Sequence, residues 1–554
     1  MMRRACIGVG LVGAVLLLAA CAATGSHPAR PSPLDEDALR STIRTLAADD
    51  FDGRRPGTAG EQKTLQYLVA EFKRMGLKPG NGASYLQPVP VVEITAQPGA
   101  VLSFAGHGRV RSLVYRHDMV IWTRRELAEA GLVHSPMMFV GYGIVAPQYG
   151  WNDYAGVDVR GKTVVALVND PGYATRDPKV FMGGTMTRYG GWRYKLNEAA
   201  RHGAAGVLLV HDTAAAGFDW DVVVNRFSGP QLEAPAVNGG GERAAIEGWL
   251  SAAAARQLFA AAGVDFGAVT AAASRPGFRA IALHLVADAE IHNAIRRFAS
   301  ANVIALLPGH KQRREYVVYS AHWDSLGRAG GRPSGAVFDG AVDNASGVAG
   351  LLLLAKSFSA TQPPPGRSMV FLAPTGGESG LLGSRYYVEH PPYPLADTVA
   401  DINLDMLHIG GPTRDVSVIG FGQSELERYL SAAALLQGRT VRAEPNPQQG
   451  LYFGSDALSF AEHGVPALYA VGGIDDDARG PIWGKAQLDA YRLHRFCQIG
   501  DQYAPDWNLR GTLEDLRLYY AVGMRLADTR RFPNWYPNSE FRAIRTRSRE
   551  EAGD

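Results

Sequence analysis

"SMVFLAPTGGESGLLGS", Ser368 to Ser384, begins as an apolar run of strand length and ends in a glycine-rich turn that holds one acid, Glu378. Met369, Val370, Phe371 and Leu372 are apolar at consecutive positions, the pattern of a strand buried on both faces. Gly376, Gly377 and Gly380 break both strand and helix, so the acid is presented at a strand tip.

The same grammar recurs through the C-terminal half of the chain. "EYVVYSAH", "ADINLDM" and "VPALYAV" are further apolar runs of strand length, and helical patterns such as "ASGVAGLLLLAKSF" lie between them. Doubly apolar strands alternating with helices predict an α/β fold, with a mostly parallel mixed sheet flanked by helices. Upstream, Leu65, Leu68, Val69 and Phe72 recur at helical spacing, and Gly76 is placed to stop that helix. Between 126 and 288 the texture changes: "MMFVGYGIV", "KTVVALVND" and "GVLLVHD" are short β-rich runs bounded by turn residues. This stretch reads as a β-rich insertion, which leaves 36–125 and 289–530 as one discontinuous domain and 531–554 as a polar tail.

In open α/β sheets, ligands gather outside the carboxyl ends of the strands. Here one strand runs into "AHWDSLG" with His322 and Asp324, another ends at Glu378, and a third ends in "NLDM" with Asp405. The loop "GAVDNASG" adds Asp343 just before a helix. Taken singly, Asp343 could be a helix cap and His322 an ordinary polar residue. Asp405 is harder to dismiss, because a buried unpaired carboxylate is costly. Together, one imidazole and several carboxylates suit a divalent cation, zinc above all, with manganese or cobalt as alternatives. A carboxylate between two ions about 3.5–4 Å apart can bridge them. Asp324, two residues past His322, is placed to accept the other ring N–H and so orient the imidazole.

"AHWDSLG", "GAVDNASGV", "GGESGLLGS" and "NLDM", in this order, resemble the dinuclear-zinc exopeptidases typified by bacterial leucyl aminopeptidase and glutamate carboxypeptidase. "FDGRRPGTAGEQ" is similar to the opening segment of that family. "VGYGIVAP", "GVDVRGKTVVALVNDPG" and "EAARHGAAGVLLVHD" resemble the protease-associated domain often inserted in it. The resemblance implies a zinc-dependent aminopeptidase with two ions per chain, cutting the N-terminal peptide bond of a peptide substrate by metal-bound hydroxide. His322 and Asp405 would hold one ion, Asp343 would bridge, Glu378 would ligate the second, and Asp324 would serve catalysis beside His322. Cys497, in "RFCQIGDQYAPDW", stands where the family places its last histidine ligand, with His494 as a nearby substitute. Gly377 stands where the family carries its general base, leaving a gap in which water could sit. Gly454 and Ala457 replace a common arginine and histidine. These departures imply an alternative, a peptide-binding or scaffold relative that has lost turnover.

The 554 residues carry 56 basic and 54 acidic side chains, so no nucleic-acid footprint is visible. The N-terminus has the layout of an export signal over 1–20: Arg3 and Arg4, an apolar run from Ile7 to Ala20, then Cys21. Leu18-Ala19-Ala20-Cys21 resembles a bacterial lipobox. That implies an exported protein held by a lipid on Cys21 in the cell envelope, and Ala22 fits sorting to the outer membrane facing the periplasm. Residues 21–35 then read as a flexible tether. With Cys6 in the signal and Cys21 lipidated, Cys497 is the one free thiol left.

Overall fold

The computed structural model describes residues 34–97, 99–331 and 335–553. The apolar run and Cys21 lie outside these residues. The C-terminal half forms a mixed sheet whose centre is four parallel strands, in the order Arg367–Ala373, Gln312–Ser320, Thr398–Asn403 and Ala467–Gly472. Beyond the last lie Asp415–Ile419, antiparallel to it, and Thr440–Ala443. On the other side the sheet continues antiparallel into Ile281–Leu307 and Leu86–Ala96. Arg367–Ala373 and Thr398–Asn403 are buried at every position, as doubly apolar runs require.

Helices cover both faces. Glu36–Leu46, Gly347–Ser359 and Arg510–Asp528 enclose one core with Leu354, Phe358, Phe371 and Leu516. Leu382–Glu389 and Asp456–Glu462 cover the opposite face through Tyr387, Val388 and Phe460. Helix Ala59–Arg74 buries Leu68 and Phe72, and Gly76 follows it with φ +74°.

Ile281–Leu307, a strand of 27 residues, leaves this sheet and enters a second one. There it pairs with Val101–Gly106 and Glu129–Phe139, and the sheet goes on through Thr163–Leu167, Gly206–Val210, Ile246–Leu250 and Met119–Trp122. The second sheet has its own cores, around Phe139, Leu208 and Phe259 on one side and Trp122, Leu196 and Trp249 on the other. Three of its strands, Val101–Gly106, Arg109–Leu113 and Met119–Trp122, precede residue 126, where the sequence reading began the insertion. Arg109–Leu113 is exposed at four of its positions, so it carries no burial pattern to read.

Within the stretch read from sequence as a polar tail, residues 531–553 pack against the sheet domain through particular side chains. Trp535 is fully buried and donates its indole N–H to the Gly464 carbonyl. Helix Arg542–Glu551 buries Arg545, whose guanidinium donates to the carbonyls of Thr398 and Leu395. An arginine that docks on main-chain oxygens looks polar in sequence and is structural in place.

Candidate metal centre

The sheet register brings the first two side chains together. Ser320 lies opposite Leu372 on one neighbour and Asn403 on the other. Two steps past Ser320 is His322, and two steps past Asn403 is Asp405, so parallel strands in register deliver both to one edge. Nε2 of His322 lies 3.4 Å from Asp343 Oδ1 and 3.7 Å from Asp405 Oδ1. Ligand atoms of these three residues fall within 4.8 Å of one another, and all three are buried. Those of Asp343, Glu378 and Cys497 form a second group within the same limit, so Asp343 belongs to both. All five residues singled out as ligands from sequence therefore converge. His494 does not join them: it ends helix Gly480–His494 with its side chain exposed.

The supporting contacts explain how these side chains are held. Asp324 is fully buried, and its carboxylate accepts the N–H groups of Gly377 at 2.8 Å and Glu378 at 3.3 Å. Nδ1 of His322 lies 3.2 Å from the Asp324 main-chain oxygen and 3.5 Å from its carboxylate. Asp324 thus ties one strand end to the turn of its neighbour, which is more than the ring-orienting part expected of it. Asn344 joins the other two loops, donating to Leu404 O and accepting from Met406 N–H. Asp501 accepts from the N–H groups of Val342 and Asp343, and Arg54 donates to the carbonyls of Trp323, Asp339 and Gly340 from beneath.

Electrostatics follow from burial and crowding. Burial opposes a charged His322 ring, but Asp324, Asp343 and Asp405 outweigh it and hold its pKa well above the usual range. Burial pushes Asp405 up, with His322 opposing. Glu378 rises to about 8, first through burial and then through Asp343, against the pull of Arg226. Asp501 rises to about 7, again mainly by burial.

Arg226 was not anticipated. It comes from helix Trp220–Phe227 of the second sheet's lobe and donates to the Glu378 main-chain oxygen at 2.8 Å. Its Nη2 also lies 3.3 Å from Glu378 Oε2. Nothing in "VVVNRFSG" marks it, because its position depends on how the lobe lands on the sheet. Asp501, four residues past Cys497, could have been found as a further acid in that segment.

Gly377 is also other than expected. The gap foreseen beside it is filled, because the His322 ring packs against the glycine where a side chain would start. Next to the centre, a cavity of ≈ 800 Å³ opens past Val342 and Met406, lined by Ile409, Ile419, Val471 and Trp483 among others.

Residues 302–512 match the model of peptidase family M28. The resemblance carried by the motifs at the strand ends is to this family. Over 114 residues the chain is 32% identical to a vacuolar membrane protease of Schizophyllum commune, a match covering 21% of this chain and 11% of that one. Over 121 residues it is 31% identical to aminopeptidase NAALADL1 of Mus musculus, covering 21% of this chain and 15% of that one. The matches thus span only a small part of these relatives' own length. Among solved structures, the fold is similar to that of an aminopeptidase from Aneurinibacillus sp. strain AM-1, with a TM-score of 0.51 at 19% identity, covering 91% of this chain and 95% of that one.

Proposed function

We propose that this chain is a zinc-dependent exopeptidase of the aminopeptidase type, acting on the N-terminal bond of peptides. The observation that carries this reading is the convergence of His322, Asp343 and Asp405 beside a large apolar cavity, within the segment that matches the M28 family. The donor set fits zinc: one imidazole nitrogen and two carboxylates meet at one point, and Asp405 Oδ1 is buried with no protein hydrogen-bond partner. A zinc ion held there would supply Lewis-acid polarisation of the scissile carbonyl and a more acidic bound water.

The chain's own residues account for the rest. Asp324 keeps Nε2 of His322 turned toward the two aspartates by pinning the turn behind it. The cavity past Met406 receives an apolar side chain and so places the adjoining bond at the centre. With Gly377 unable to move a proton, the Glu378 carboxyl is the group on this turn that can. Raised to about 8, it exchanges a proton near neutral pH.

The second reading, a peptide-binding or scaffold relative without turnover, is favoured by Gly377 at the general-base position and Cys497 at a histidine-ligand position, with Gly454 and Ala457 as further departures. One experiment separates them: metal content of the purified protein, with hydrolysis of leucine amide against its N-acetylated form. Bound zinc and cleavage of only the free-amine substrate are expected. Metal without cleavage would favour the binding protein, and absence of both would end the metallopeptidase reading. The second lobe is read as a protease-associated domain from its motifs and its place beside the site. Export and a lipid on Cys21 are supported by Arg3, Arg4 and the Ile7–Ala20 run. Among the described residues no helix is long and apolar enough to cross a membrane. Labelling with a radioactive fatty acid that persists in Cys21→Ser would refute the anchor.

A further inference from the structure

The Asp343, Glu378 and Cys497 cluster has the donors for a second ion, but a protein cation is already there. Arg226 Nη2 lies 3.3 Å from Glu378 Oε2, and Cys497 Sγ lies 3.8 Å from that same oxygen. The arginine is locked in place rather than passing by. It donates to the Glu378 main-chain oxygen at 2.8 Å, while its neighbour Asn225 donates to the Cys497 carbonyl at 3.1 Å. Val222, one turn earlier on the same helix, packs with Phe496 and Cys497 in a small apolar cluster. One helix therefore grips both segments that carry the outer donors.

From this arrangement we infer that Arg226 takes the place of the second metal ion, so that the centre holds a single ion and the inserted lobe completes it with a guanidinium. This rests on the metallopeptidase reading and departs from the two ions expected from family resemblance. The charges support it. A second divalent ion would stand against an arginine that shares its ligand oxygen, and the two cations would repel at that distance. Arg226 is also only partly partnered: its Nε is buried without a protein acceptor. A guanidinium held beside the site can also offset the negative charge that develops during hydrolysis, a service usually asked of a second metal.

The test uses the full chain stripped of metal and reloaded with cobalt(II), whose thiolate bond gives a near-ultraviolet charge-transfer band. The wild-type protein should take up about one cobalt per chain, with no thiolate band and no change in Cys497→Ser. Arg226→Met should rise to about two per chain and gain the band, which Cys497→Ser should then abolish. Arg226→Lys, which keeps a cation and guards against simple misfolding, should stay at one. Two ions with a thiolate band in the wild type, or a folded Arg226→Met that still takes only one, would overturn the inference and leave the peptidase reading standing. No cobalt at all would overturn that reading and this one with it.

Discussion

A β-carbon placed on Gly377 would lie 2.4 Å from Cγ and 2.8 Å from Nδ1 of His322, so the glycine and the imidazole fit only as they are. Real contacts at that distance do not occur, and the ring cannot retreat, because its other edge faces Asp343 and Asp405. Gly377→Glu should therefore not restore a missing base. It should turn the ring away and weaken metal binding by tenfold or more, about the loss seen when a ligand's support is disturbed. Competition with a zinc-chelating dye measures this. Unchanged affinity with a raised kcat would mean that the ring is not held as described.

Asp324→Asn tests the link between strand end and turn. The carboxylate accepts from both Gly377 and Glu378, and an amide can accept on only one side while presenting an NH₂ to the other. The turn should shift and His322 with it. Metal affinity should fall by about 10–100-fold, with only a small change in Tm. An Asp324→Asn protein with wild-type metal affinity would assign the aspartate to stability alone.

Glu444 gives a pH signature away from the ligands. It lines the large cavity, accepts from Gly420 N–H through Oε1, and has Oε2 buried without a partner. Burial raises its pKa from 4.5 to about 7, against the pull of Arg492. The folded state thus binds this proton more tightly than the unfolded state. Its contribution is intact below about 4.5 and is lost as pH rises through about 7. Glu444→Gln keeps the acceptor and removes the charge. It should raise Tm by about 1–3 °C at pH 8 and change it little at pH 4.5. Equal shifts at both pH values would show that the gain is not electrostatic.

Much of this was legible in the chain, for reasons that can be named. Met369 to Leu372 are apolar on both faces because helices cover both, so the parallel sheet follows from composition alone. His322, Glu378 and Asp405 could be found because strand ends in such a sheet share an edge, and Asp343 because it opens the following helix. What could not be read depends on distant packing. Arg226 lies far from every ligand in sequence and reaches Glu378 only through the docking of its helix on Phe496 and Cys497. Arg545 is a charged residue whose partners are main-chain carbonyls, which leave no trace in side-chain patterns. Of the second sheet's strands before residue 126, Arg109–Leu113 is exposed at four of five positions and Met119–Trp122 has only four residues, so neither marks where the lobe begins.

The cavity sets an expectation for specificity. Its lining by Ile409, Ile419, Val471 and Trp483 favours a large apolar N-terminal side chain. Val471→Trp keeps a residue suited to a strand while filling the space. kcat/KM for leucine or phenylalanine amide should fall about tenfold or more, and that for alanine amide much less. A uniform loss across the three substrates would place the side-chain site elsewhere.

Glu378 offers the sharpest division between ligand and proton carrier. It sits beside Asp343, but its Oε2 is engaged by Arg226 Nη2 at 3.3 Å and approached by Cys497 Sγ at 3.8 Å. If it were a metal ligand, Glu378→Gln would lower both metal content and activity. As the proton carrier it should leave the ion held by His322, Asp343 and Asp405 in place, while kcat drops about 10²–10⁴-fold. KM should move little, since the loss would fall on the transition state. The pH profile adds an independent check. Burial, and then Asp343, hold the Glu378 carboxyl above its usual range, and an ion on Asp343 would relieve the second of these. The wild-type rate should therefore climb with pH from above the ordinary carboxylate range, while the variant lacks that limb. Metal lost in step with activity would return Glu378 to the ligand set, and with it the case for a second ion beside Arg226.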